Sequence, residues 1–207
     1  DNNKERGRFA REQGEALQYQ LYEAGGIAHL APGYEKLIKV GAEGIIDEVD
    51  ALERQTDDPA KHEFYRSVKI AMSALSEFGD RYATEATRLA TEESDPQRKA
   101  ELERIAEICT RVPRKGATCF YEAVQSMTLA HIAIFQETTG ETTCPGRIDQ
   151  FLNPYFEKDL AEGRITREEA KEILGAFCVK ICETIPVWAE TTGAMLGGMT
   201  SWEVITI

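Results

Sequence analysis

Between Phe64 and Leu89 the apolar residues Phe64, Val68, Met72, Leu75, Phe78, Tyr82, Ala86 and Leu89 recur every three or four positions, with no proline among them. A stripe at that period lies on one face of an α-helix and would scatter over both faces of a strand. The chain must therefore contain a long amphipathic helix that packs against other elements. The same period predicts further helices. Leu37, Ile38, Ile45, Ile46, Val49 and Leu52 mark one that starts near Tyr34, with Gly41 and Gly44 as points of close packing, and Thr56-Asp57-Asp58-Pro59 closes it. Ser94-Asp95-Pro96 is a capping residue followed by proline at a first helical position, and Leu102, Ile105 and Ile108 continue as a buried stripe up to the break at Val112-Pro113-Arg114-Lys115-Gly116. Phe120 to Phe135 is apolar enough to be buried on most sides. A helix is expected from Ile148 to Leu160, and Thr166-Arg167-Glu168-Glu169 has the capping-box form that opens another, running to about Ile185 before Pro186. The first stretch, about Lys4 to Glu23 with Phe9, Leu17 and Leu21, also has helical character, broken by Ala24-Gly25-Gly26 and Pro32-Gly33.

One segment departs from this pattern. Glu203-Val204-Ile205-Thr206-Ile207 alternates polar and β-branched apolar residues, as a strand does. A strand needs pairing partners, and with no initiator methionine at Asp1 the expectation is a piece of a longer protein. No linker, internal repeat or low-complexity tract divides the 207 residues.

Composition narrows the function. A formal net charge of -12 disfavours nucleic acid, whose phosphates demand clustered Lys and Arg, and disfavours anionic membrane surfaces too. No apolar run reaches the ~20 residues of a membrane span, and the first residues lack the apolar core of a signal peptide, so a cytoplasmic protein is expected. Five scattered cysteines, Cys109, Cys119, Cys144, Cys178 and Cys182, suit reduced thiols more than a disulfide framework. Cys178 and Cys182 share one helical face, but with no further ligand nearby they are read as core thiols and no metal set is expected.

Taken alone, the residues offer few sites. There is no phosphate-cradling glycine loop, zinc-ligand spacing or nucleophile elbow. His62 sits at a charged helix start and is expected in solvent, while His131, inside the apolar helix, reads as a hydrogen-bonded core histidine. His29 follows a Gly-Gly break, so its ring can project from a loop into a pocket or serve only as packing. From Glu141 to Asp149 a carboxylate, hydroxyls, a thiol and Arg147 crowd into a polar loop between two apolar helices. The plainer account is a capped turn, with Asp149 paired to Arg147 or to backbone amides at the helix start.

The run Gly146-Arg147-Ile148-Asp149-Gln150-Phe151-Leu152-Asn153-Pro154-Tyr155-Phe156 resembles the Gly-Arg-x-Asp-Gln-Tyr-x-x-Pro-Tyr-Tyr segment of the pyruvate formate-lyase-like glycyl radical enzymes, with six identities. His29-Leu30-Ala31-Pro32-Gly33-Tyr34-Glu35-Lys36 resembles their His-x-x-Pro-x-Tyr-x-Lys segment, and Arg81-Tyr82-Ala83 their Arg-Tyr-Ala helix. Asp95 to Leu102, Val112-Pro113, Phe120 to Gln125, Asp159-Leu160, Gly163 to Thr166 and Glu169-Ala170 extend the likeness over nearly the whole chain.

The resemblance implies that residues 1–207 are a mainly α-helical fragment of the α/β glycyl radical enzyme barrel fold, a ten-stranded barrel surrounded by helices, ending on a strand. It implies an enzyme that cleaves a C-O, C-N or C-C bond of a small polar metabolite by radical chemistry, as a dehydratase, decarboxylase or formate acetyltransferase does. The thiyl cysteine loop and the glycine of the Arg-Val-x-Gly-Tyr motif are not in this sequence, so no cofactor is bound directly and the fragment alone is expected to be inactive. An S-adenosylmethionine iron-sulfur activating enzyme would install the glycyl radical, and the complete protein would be a homodimer. His29 matches the position at which dehydratase-like members set a histidine against a substrate hydroxyl, a catalytic role. Glu141 and Thr142 stand where glycerol dehydratases carry His-Ser, which argues against glycerol. Glu141 would orient an ammonium or hydroxyl group, with Thr142 beside it. Arg147 and Asp149 occur across branches with different substrates, which makes them scaffold near the site. The competing expectation is a non-catalytic helical scaffold or binding protein retaining part of this fold.

Overall fold

The computed structural model describes residues 30–137, 143–183 and 205–206. Along them run α1 (Tyr34–Glu53), α2 (Pro59–Glu92), α3 (Pro96–Arg111), α4 (Phe120–Glu137), β1 (Gly146–Arg147), α5 (Ile148–Ala161), α6 (Arg167–Glu183) and β2 (Ile205–Thr206). The expected helical character is present. Among the described residues the only sheet is one parallel pair, so a ten-stranded barrel is not part of what is seen.

Local chemistry sets the helix starts. Asp58 accepts the Ala60 amide at 2.9 Å ahead of Pro59, and Asp95 accepts the Arg98 amide at 2.9 Å ahead of Pro96. Each supplies a partner for one otherwise unsatisfied N–H, while proline occupies a position whose N–H would be unsatisfied anyway. Thr166 and Glu169 form the capping box at α6: Glu169 N–H donates to Thr166 Oγ1 at 3.2 Å, and Thr166 N–H donates to the Glu169 carboxylate at 2.8 Å. The start of α4 has a cap that no local pattern announces. Asp159 of α5 accepts the Phe120 amide at 2.7 Å, from 39 residues away.

The α1 helix is interrupted at Gly41, whose φ of 72° and ψ of 173° are open to glycine alone. The amides freed there do not go unsatisfied. Ala42 and Glu43 donate to the carbonyls of Pro113 and Arg114, each at 2.9 Å, and Ala117 donates to the Ile38 carbonyl at 2.8 Å. A Cβ on Gly41 would come within 2.3 Å of the Lys115 backbone, so close packing at Gly41 is real. Gly44 differs: its nearest neighbour is Val40 of its own helix. Arg114 then pairs with Asp80 of α2 and Glu43 of α1, fixing the 112–117 turn to both helices.

The main core joins α1, α4, α5 and α6 through Ile38, Phe120, Met127, Leu152, Phe177 and Ile181, all at most 3% exposed. A smaller cluster of Ala83, Cys109 and Leu129 ties the α2–α3 hairpin to α4. The α4 helix is enclosed on most sides, as its composition predicts, and even Ser126 and His131 are buried.

Two expectations need correction. Phe64 does not belong to the buried stripe of α2: it is 64% exposed, while His62 and Lys69 on either side of it meet α1 at Glu53. Cys178 and Cys182 are not core thiols but lie exposed on α6, whose buried side is carried by Phe177 and Ile181. His62 is solvent-facing as expected, with its side chain 41% exposed, and it also meets Glu53 at 3.3 Å. The final strand has a partner inside the chain: Gly146 pairs with Ile205 and Arg147 with Thr206, in parallel. The stretch 4–23 and Pro186 lie outside the described residues.

Candidate functional site

His29, Glu141 and Thr142 lie outside the described residues, but both chain segments that lead to them are in place. The turn after His29 is tight. Tyr34 N–H donates to the Pro32 carbonyl at 2.7 Å, and Leu37 N–H donates to the Gly33 carbonyl at 3.2 Å as α1 begins. Pro32 restricts its own φ, which narrows the approach of residues 30–33. On the other side, α4 ends at Glu137 and the chain is described again from Thr143. The Cys144 amide donates to the Leu30 carbonyl at 2.9 Å. That bond joins the residue following His29 to the residue two places after Thr142. The resemblance named the two segments separately, and the fold brings their flanks together.

A second link lies deeper. The Tyr34 hydroxyl meets His131 Nδ1 at 2.8 Å, and both residues are 2% exposed. The His131 ring packs against Phe135 at a centroid distance of 4.9 Å and edge-on to Phe177 at 6.4 Å. His131 is thus a hydrogen-bonded core histidine, as its position in an apolar helix suggests.

Thr143 was not singled out from the sequence. It is fully buried, and its hydroxyl has no hydrogen-bond partner among the described residues. A buried hydroxyl in that state is uncommon and costs stability. The one sequence signal was its place at the end of a polar loop.

Beyond Pro145 the backbone turns at Gly146, with φ of 78°, into the two-residue strand β1. Arg147 grips Asp149 with two bonds, Nε to Oδ1 at 2.9 Å and Nη2 to Oδ2 at 2.7 Å, and Gln150 adds a third at 2.9 Å. Hydrogen bonding to Arg147 is the main reason the Asp149 carboxyl is held well below the usual carboxylate range. Asp149 also lies in the first turn of α5, where the helix dipole favours a negative charge. The pair is solvent-facing, so its contribution to stability is small and its geometric effect is to fix the turn from β1 into α5.

Two clefts border these elements. One of about 390 Å³ runs between α1, α2 and α4, lined by Pro32, Tyr34, Leu37, Met72, Leu75 and Ile134. The other, of about 290 Å³, lies between α5 and α6 over Phe120, Leu152 and Phe156, with Asp149 and Arg167 among its lining residues. Both are apolar at their base and neither gathers groups suited to acid-base chemistry. Among the described residues no group of His, Cys, Asp and Glu can hold a metal ion, and no helix is long and apolar enough to cross a membrane.

A family model described as pyruvate formate lyase-like matches residues 2–207. The chain belongs to that family. Isethionate sulfite-lyase of Nitratidesulfovibrio vulgaris is 36% identical over 182 residues, covering 84% of this chain and 22% of that protein. A solved structure described as a glycyl radical enzyme from Archaeoglobus fulgidus is 40% identical, covers 75% of this chain and 21% of its own, and superposes with a TM-score of 0.69. A structure concerned with 1,2-propanediol dehydration in Roseburia inulinivorans reaches a TM-score of 0.80 at 29% identity, covering 96% of this chain and 25% of its own. The chain spans about a fifth of the length of the curated relatives it matches, which include sulfite-lyases, dehydratases and a decarboxylase.

Proposed function

We propose that these 207 residues are part of the lyase domain of a glycyl radical enzyme, in which the helices of this chain back a pocket closed by the segments around His29 and Glu141-Thr142. The observation that carries this is the Leu30–Cys144 hydrogen bond, which joins the flanks of both segments. The radical stored on a glycine outside this sequence supplies hydrogen abstraction from substrate. Residues of this chain bind and orient. His29 hydrogen-bonds a substrate hydroxyl and moves a proton as the leaving group departs, while Glu141 and Thr142 fix a second polar group of the substrate. Arg147 and Asp149 hold the turn from β1 into α5. Close packing behind the pocket excludes water that would quench a radical.

Cleavage of a C-O, C-N or C-C bond in a small polar metabolite remains the reaction class, and the sulfite-lyase relatives extend the range to sulfite as a leaving group. The complete protein is a homodimer in the cytoplasm, activated by an S-adenosylmethionine iron-sulfur enzyme.

The test is His29→Ala in the activated complete enzyme, assayed anaerobically against isethionate, glycerol, 1,2-propanediol and trans-4-hydroxy-L-proline. Turnover per spin on the accepted substrate should fall about 10²-fold or more, with the glycyl radical yield intact. Normal turnover per spin would remove His29 from the site.

A further inference from the structure

The cleft of about 290 Å³ between α5 and α6 has no role in the function proposed above. Its base is apolar: Phe120, Ile148, Leu152 and Ala170 are at most 5% exposed, and Phe120 meets Phe156 edge-on at 5.8 Å. Such a surface gives water few hydrogen-bond partners, so an apolar group gains by displacing it. Along α5 the cleft runs from Ile148 to Phe156, about 12 Å at the helical rise.

The rim is polarised along that length. At one end Arg167 stands over the Phe156 ring at 5.6 Å, with no ion-pair partner among the described residues. Lys171 follows one turn later on α6 and reaches only Glu168, at 3.9 Å. Glu169, the other acid of that turn, is taken up by the Thr166 amide and hydroxyl. Arg167 is also the first residue of α6, where the helix dipole disfavours a cation, so guanidinium and dipole together favour an anion beside it. At the other end the rim carries Asp149, and Arg147 already holds both of its oxygens. In a chain of formal net charge -12 this cleft thus has a cationic end, an apolar floor and an acidic end.

We propose that the α5–α6 cleft binds the free anion of a medium-chain carboxylic acid, with its carboxylate at Arg167 and Lys171 and its alkyl chain running over Leu152 toward Ile148. A guanidinium takes a carboxylate through two parallel hydrogen bonds, which fits the charged end. Carbon–carbon bonds of about 1.5 Å in a zigzag make a chain of about eight carbons roughly 9 Å long, which fits the apolar floor. Asp149 repels a carboxylate at the far end, so the ligand lies in one direction only. The site does not depend on the reading of His29.

The test titrates the complete enzyme, before activation, with sodium octanoate by isothermal titration calorimetry. Saturable binding of one octanoate per chain is expected. From butanoate through hexanoate to octanoate the affinity should rise by up to about fourfold per methylene and then level off at decanoate, whose chain outruns the floor. Octanol, with the same chain and no charge, should bind at least about tenfold more weakly than octanoate. Arg167→Gln should weaken octanoate by a similar factor and leave octanol unchanged. The length series and the octanol comparison use the parent enzyme, so they decide the question even where the variant fails to fold. Absence of saturable binding overturns the proposal, because the rest of the polypeptide or another protein then covers the cleft. Affinity that climbs undiminished at decanoate, matches that of octanol or ignores Arg167→Gln also overturns it, since adsorption to any apolar surface behaves in that way.

Discussion

Replacing Asp159 by alanine should destabilise the chain by about 2–4 kcal/mol. The carboxylate side chain is 4% exposed and accepts from two sides. Oδ2 takes the Phe120 amide at 2.7 Å, and Oδ1 takes Arg164 Nε at 3.0 Å together with Nη2. Loss of the cap on α4 costs about 1 kcal/mol, within a range of roughly 0.5–2. Charge-assisted bonds to Arg164 add about 1.5–3 kcal/mol. The arginine contribution is discounted, because its side chain is 43% exposed and the guanidinium is rehydrated once its partner is gone. Asp159→Asn keeps one acceptor but turns its amide hydrogens toward the other donor, so it should retain about half of the loss. The assay is urea unfolding of the chain followed by far-UV circular dichroism, with Arg164→Ala and the double variant completing a thermodynamic cycle. A coupling of about 1–2 kcal/mol between Asp159 and Arg164 is expected, the remainder being the cap. A cost below about 0.5 kcal/mol for Asp159→Ala would refute the account, since it would mean that α4 starts equally well without its distant cap.

Gly41→Ala should cost at least about 3 kcal/mol, combining a glycine-only backbone conformation with a Cβ forced against the Lys115 backbone, and an unfolding midpoint within error of the parent would contradict this. Burial pushes the Cys109 thiol up to about 11 from an ordinary 9.0. In the unfolded chain the thiol ionises first, so the folded state holds more protons between those values and stability falls as pH rises through that window, by at most about 1.4 kcal/mol per pH unit. Cys109→Ala should flatten the slope of stability against pH above 9.0, and an unchanged slope would count against it. Thr143→Val removes a buried hydroxyl with no partner among the described residues from a side chain of the same shape, so the chain should gain stability or stay unchanged. A loss of more than about 1 kcal/mol would show that the hydroxyl is bonded in solution.

The helices were legible because their causes are local. The three-to-four spacing of Leu75, Phe78 and Tyr82, the Asp-Pro start at Asp95 and the Thr166–Glu169 box each act within one or two turns, so neighbours in sequence suffice to reveal them, whereas Asp58-Pro59, read as the end of one helix, also caps the next. The Gly-Arg-x-Asp-Gln run likewise named the family, since its likeness is a property of residue order. Burial was harder to foresee. Phe64 and Cys178 sit in patterns that suit a core, yet both are exposed among the described residues.

What sequence alone determined here is therefore which segments are helical, where they begin, and to which family they belong. Tertiary structure alone decided that Asp159 caps α4, that Gly41 yields its amide partners to the 112–117 turn, that Gly146 pairs with Ile205, and that Leu30 meets Cys144. Each of these joins residues 39 or more positions apart. Such contacts are set by the geometry in which whole helices pack, and packing depends on the joint shape of all the faces at once, which no local window of residues encodes.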